Sequence, residues 1–173
     1  MTASSHEGHD HDHDHDHDHG PAISRAICVL SPTEGNSTAG VITFTKTDKG
    51  VLIEGTISGL TPNGKHGFHI HQYGDLSSAD GTKAGGHFNP HGADHAGPDD
   101  EHRHVGDLGN VEADAQGNAT YKRVDSHITF EGATSIIGRG MILHAGTDDL
   151  KTQPTGDAGG RIAQGVIGIA ADE

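Results

Sequence analysis

Cysteine occurs once in this chain, at Cys28, tryptophan is absent, and aromatic residues make up only 3 %. A single cysteine excludes an intrachain disulfide, and with it a small secreted scaffold stapled by bridges. So few aromatics, set against 27 glycines, favour short strands joined by glycine-rich turns over a packed helical bundle. No apolar run approaches the length that spans a bilayer, and no basic segment leading into an apolar stretch follows Met1. Cations are also scarce: 11 Lys and Arg against 25 Asp and Glu leave a formal charge of −14. That balance argues against nucleic acid and anionic membrane surfaces, both of which need a cationic footprint. The compartment expected is the cytoplasm, or the periplasm or cell exterior if a leader has been removed.

What the chain does have begins with a tail. From His6 to Gly20 it alternates His and Asp over most of its length, with nothing apolar to bury, so residues 1–20 are expected to be disordered. They hold one Glu, five Asp and no Lys or Arg, which accounts for −6 of the −14 and leaves −8 elsewhere. Loose capture of Cu(II) or Zn(II) is the reading preferred over a purification tag, because tags are normally plain His runs. Residues 21–173 are expected to form one domain around a single core.

Strand candidates run over 22–30, 40–45, 51–58, 65–71, 105–113, 119–124, 127–130, 140–144 and 165–170, with Ser31-Pro32 ending the first. Two loops, 72–103 and 145–160, interrupt them, and loops of such length in compact domains are usually functional. Eight or nine short strands with two functional loops make the expected fold all-β, a sandwich or a flattened barrel.

The most informative stretch is Gly67-Phe68-His69-Ile70-His71. Alternate strand residues share a face, so His69 and His71 point one way while Phe68 and Ile70 point the other. His87, His95, His104, Asp107 and His144 follow, giving a ligand set for two metal ions. Imidazoles without thiolates suit both Cu(II) and Zn(II), whereas three His and one Asp closing every position make a structural site. His66, His91, His102 and His127 have no assigned role, and Cys28 reads as a small buried hydrophobe.

These residues carry a resemblance. Gly67 to His71, Gly86-His87-Phe88-Asn89-Pro90, His104 to Asn110, Ile136 to Arg139 and Gly165 to Ala170 stand in the order found in copper/zinc superoxide dismutases, and the likeness runs from about Ala22 to Ala170. It implies an eight-stranded Greek-key β-sandwich of immunoglobulin-like type, or flattened barrel, with copper on His69, His71, His87 and His144, and zinc on His87, His95, His104 and Asp107, with His87 bridging. It further implies that Arg161 guides the superoxide substrate and that Asp148 links a copper ligand to a zinc ligand. His87 would release copper on reduction and take up a proton for the second half of the cycle. The implied partners are a second copy of the chain, through Ile137-Gly138 and Val166 to Ile169, and a copper-delivery protein.

The chain also departs from the family. Gly81 and Gln164 stand where most members carry a disulfide, so folding is expected to lean on zinc. The loop 145–160 is shorter than in the family's eukaryotic cytosolic members and keeps only Lys151 as a cation. The alternative function is non-enzymatic delivery or storage of copper and zinc on the same fold, against which Arg161 argues, because a carrier has no use for a cation that attracts substrate.

Overall fold

The computed structural model describes residues 21–172. Eight strands are described: β1 (Arg25–Pro32), β2 (Ala39–Thr47), β3 (Gly50–Ser58), β4 (Lys65–His71), β5 (Asp107–Glu112), β6 (Ala119–Asp125), β7 (Gly140–His144) and β8 (Arg161–Ile169). The helical content among the described residues is two short 3-10 turns, Thr82–Ala84 and Gly132–Thr134. None of it is long and apolar enough to cross a membrane.

Period-two patterning builds the wall. In β1, Ala26, Cys28 and Leu30 are buried while Val29 between them is 58 % exposed. β2 and β3 turn Ile42, Phe44, Val51, Ile53 and Ile57 to the same interior, where Phe68 and Ile70 of β4 meet them. Phe68 packs edge-on against Tyr121, ring centroids 4.9 Å apart.

All ladders are antiparallel, in the order β5-β4-β7-β8-β1-β2-β3-β6. β4, β5 and β6 follow in sequence, with β7 lying beside β4 and β3 beside β6, which gives two interlocked Greek keys. The sheet nearly closes on itself, so the sandwich-or-barrel expectation resolves to a barrel. At the remaining seam, Tyr121 Oη of β6 donates to the Leu108 carbonyl of β5 at 2.9 Å.

Several boundaries differ from the sequence reading, and four of the differences have a local reason. β1 runs on through Pro32, because β2 pairs with it only as far as Leu30↔Gly40 and the missing N–H lies beyond that ladder. Residues 127–130 form no strand: the Asp125 carboxylate takes the N–H groups of His127 and Ile128 at 2.9 and 3.1 Å, turning the chain. β5 starts at Asp107 rather than Val105, since Asp107 N bonds back to the His104 carbonyl in a turn. β8 starts at Arg161 rather than Gly165, which sets Arg161 opposite His144 in the ladder.

No disulfide ties down the segment between β4 and His87; hydrogen bonds do. Arg161 donates to the carbonyls of Gly81 and Gly85, both at 2.7 Å, and Gln164 Nε2 to that of Ser78 at 3.1 Å. Glu34 N adds a bond to the Ala79 carbonyl at 2.8 Å. Arg103, fully buried, pairs with Asp125 and donates to the Asp107 carbonyl, holding the turn His104–Asp107 against the end of β6. The tail at residues 1–20 lies outside the described residues.

Candidate metal centre

β4, β5 and β7 lie side by side, and their register brings the distant histidines together. His69 stands opposite Asp107, and His71 forms an isolated bridge with His87. Ladder irregularities fall between Gly67 and His69 and between Leu143 and His144, so both rings are re-aimed where the pleat is broken.

Two groups of donor atoms result: His69, His71, His87 and His144, and His87, His95, His104 and Asp107, all buried. His87 belongs to both. Its ring centroid lies 4.0 Å from that of His69, 5.0 Å from His71, 5.1 Å from His95 and 5.3 Å from His104.

Hydrogen bonds fix which nitrogen of each ring is free. His71 Nδ1–H donates to the Gly85 carbonyl at 2.8 Å and His144 Nδ1–H to that of Gly159 at 3.0 Å. His69 Nε2–H donates to Asp148 Oδ2 at 2.6 Å. The opposite nitrogens, His69 Nδ1, His71 Nε2 and His144 Nε2, are buried without a polar partner, as is His87 Nε2. Four lone pairs thus face a common point with nothing to satisfy them, a costly arrangement unless a cation sits among them.

The second group needs a cation for a different reason. Asp107 Oδ1 lies 2.8 Å from His87 Nδ1, 2.8 Å from His95 Nδ1 and 3.2 Å from His104 Nδ1. His95 Nε2–H is engaged by Asp148 Oδ1 at 2.8 Å, so in its neutral form His95 turns a bare lone pair toward a carboxylate. Only a proton or a metal relieves that. Burial opposes a charge on His95, but the bonds to Asp107 and Asp148 prevail and push its pKa up to about 9.

In the first group the balance goes the other way. Burial lowers His69 to about 3, with Asp148 opposing and His87 and His144 adding to the fall. His144 falls to about 4 and His71 well below its ordinary value, again mainly through burial. These rings stay neutral and keep their lone pairs for a metal.

The structure therefore gathers all seven ligand candidates of the sequence reading into one place and sets Asp148 between His69 and His95. These three also form a close trio; its contacts have hydrogen-bond lengths, so Asp148 orients the two rings. Arg161 is half-buried and lies near enough to His71 and His144 to help depress both. Of the unassigned histidines, His66 is buried with Nδ1 2.9 Å from the His144 carbonyl, and His127 lies 3.0 Å from that of Glu101. His91 and His102 are exposed.

Sequence reasoning missed the residues that brace this centre. Asn110 grips Asp148 by both backbone atoms, accepting from its N at 2.7 Å and donating to its O at 3.0 Å. Gly156, at φ +72°, leaves no room for a side chain: a Cβ there would lie 1.9 Å from Asp148 Oδ1 and 2.6 Å from His95 Nε2. Its position within a glycine-bearing loop was visible, but not what it faces.

Comparisons with known proteins agree. The family model described as copper/zinc superoxide dismutase matches residues 38–167. A protein named superoxide dismutase [Cu-Zn] from Botryotinia fuckeliana is 49 % identical over 141 residues, 77 % of this chain and 91 % of the relative. One of the same name from Paramecium bursaria Chlorella virus 1 is 45 % identical over 157 residues, 87 % of this chain and 82 % of the relative. A solved structure of the clock protein EA4 superposes with a TM-score of 0.79 at 47 % identity, covering 88 % of this chain and 99 % of that one. With ligands gathered in this way and relatives of this extent, the chain belongs to the copper/zinc superoxide dismutase family.

Proposed function

We propose that the protein disproportionates superoxide into dioxygen and hydrogen peroxide. Copper would be held by His69 Nδ1, His71 Nε2, His87 Nε2 and His144 Nε2, and zinc by the Nδ1 atoms of His87, His95 and His104 with Asp107. The observation that carries this reading is the set of four buried, unpartnered nitrogens, one of them on a ring whose other nitrogen faces Asp107. Copper there supplies a one-electron couple, which zinc lacks.

The chain's own residues do the rest. Arg161 keeps its charge at any working pH and draws a small anion toward His144, its neighbour across the ladder. His87 Nε2 is the atom on which a proton can be held beside the reacting oxygen. Asp148 keeps the rings of His69 and His95 from turning, so the donors stay aimed while charge changes. Metal content and dismutase activity, measured together on the parent chain and His144→Ala, test the reading. Copper and activity should fall together in the variant while zinc is retained; equal copper in both would reject it.

We infer a homodimer as the working form. Val166 and Ile169 of β8 are 38 % and 66 % exposed, and Ile137 and Gly138 lie alongside, where Gly138 N bonds to the Ile167 carbonyl at 2.8 Å. Sedimentation of the parent and of Ile169→Lys tests the pairing. For the tail, deletion of residues 1–20 should slow metal loading when the ions are scarce, and unchanged loading would defeat its role in capture. Cytoplasmic residence is supported by a barrel that needs no disulfide, and location by microscopy tests it.

A further inference from the structure

We propose that Gln153 is a positioning residue that holds His95 ready for zinc, an inference that rests on the metal centre assigned above. His95 sits in a stretch, 88–103, with no described strand or helix, so no ladder satisfies its backbone. Gln153 does so alone. Its Oε1 accepts from His95 N at 2.7 Å and its Nε2 donates to His95 O at 2.8 Å. One carboxamide thus replaces a β-strand partner.

The geometry fixes more than two hydrogen bonds. Both polar atoms of one residue are tied to a single planar group, which sets the backbone of His95 and so the direction in which its ring leaves the chain. That ring is held at its far end as well, Nε2 against Asp148 Oδ1 and Nδ1 toward Asp107 Oδ1, both at 2.8 Å. Ala96 N then donates to Asp107 Oδ2 at 3.1 Å. Asp148 is itself gripped in the same manner by Asn110, so each end of the His95–Asp148 contact is clamped by an amide side chain. Without Gln153, His95 must be ordered when the metal arrives, and that ordering weakens binding.

The carboxamide also explains the residue type. A carboxylate could accept from His95 N but could not donate to its carbonyl, whereas a carboxamide does both. Gln153 is itself exposed, and its Nε2 spends a further contact on the Lys151 carbonyl at 3.1 Å, so replacing it leaves the core intact.

The test is Gln153→Met in the full chain, which keeps length and removes both hydrogen bonds. Zinc affinity is read by competition with a chromophoric chelator, ligand geometry by the visible spectrum of cobalt(II) bound in place of zinc, and fold by the melting temperature of the metal-free protein. Zinc affinity should fall about 10- to 100-fold, the range for lost supports of metal ligands, with an altered cobalt spectrum and a metal-free melting temperature close to the parent's. Unchanged zinc affinity would overturn the inference, and so would an affinity loss matched by general loss of metal-free stability. If the parent chain itself takes up no zinc, the metal-centre assignment fails and this inference with it.

Discussion

Nδ1 of His87 lies 2.8 Å from Oδ1 of Asp107, while Nε2 of the same ring is buried with no polar partner among the described residues. One ring therefore serves two donor groups, and its loss should be felt in both. His87→Ala is expected to lower copper and zinc content together, whereas His144→Ala should lower copper alone. Elemental analysis after dialysis against equal amounts of both ions separates the two patterns. A His87→Ala chain that keeps full zinc would show that the groups are independent.

Gly156→Ala should be among the most damaging small changes. Its φ of +72° disfavours any side chain, and the added carbon would displace the Asp148 carboxylate from His95. Destabilisation of the metal-loaded protein by about 2 kcal/mol or more is expected, with loss of metal under competition. Calorimetry of the loaded protein checks it, and a shift within error would show that the loop yields without cost.

Acid should destabilise the metal-free protein. His69 and His144 have folded pKa values lowered to about 3 and about 4, and His71 and His87 are lowered too, all mainly by burial. The unfolded chain titrates these near pH 6.5, so below that it binds protons the folded chain refuses, and stability is lost as pH falls. Asp107 and Asp148 act in the same direction: burial opposes their ionisation, but histidine hydrogen bonds hold both well below the usual carboxylate range. His95 opposes them, since its stabilisation is complete below pH 6.5 and is lost as pH rises through about 9. The melting temperature in chelator should therefore drop between pH 7 and pH 4, and a flat profile would contradict the pattern.

Arg161 has a double duty that substitution can split. Arg161→Lys keeps the charge but not the fork that bonds the Gly81 and Gly85 carbonyls. It should keep the ionic-strength slope of the dismutation rate while lowering thermal stability by about 1–2 kcal/mol. Arg161→Ala should lose both. An unchanged salt slope in Arg161→Ala would mean that attraction of the anion arises elsewhere.

Much of this centre could be read from the chain because strands advertise themselves. β4 falls where the sequence places it, at Lys65–His71, since alternation and the flanking turn leave no other register. Residues 127–130 mislead for the same reason: Ile128 and Phe130 alternate and are buried, yet Asp125 captures the backbone donors before a ladder can form. Asp148 was legible only through family resemblance, as nothing around it distinguishes it from Asp149. Gln153 was not legible at all. Its partner is 58 positions away, and a loop glutamine carries no periodic signal.

Cys28 is buried between strands, with its thiol pushed up to about 12 by that burial, and the loop that a disulfide would anchor is held by Arg161 and Gln164 instead. The chain therefore needs no oxidant to mature. No intrachain disulfide has to form for this fold to hold, and dithiothreitol should leave its melting curve unchanged where a chelator would not.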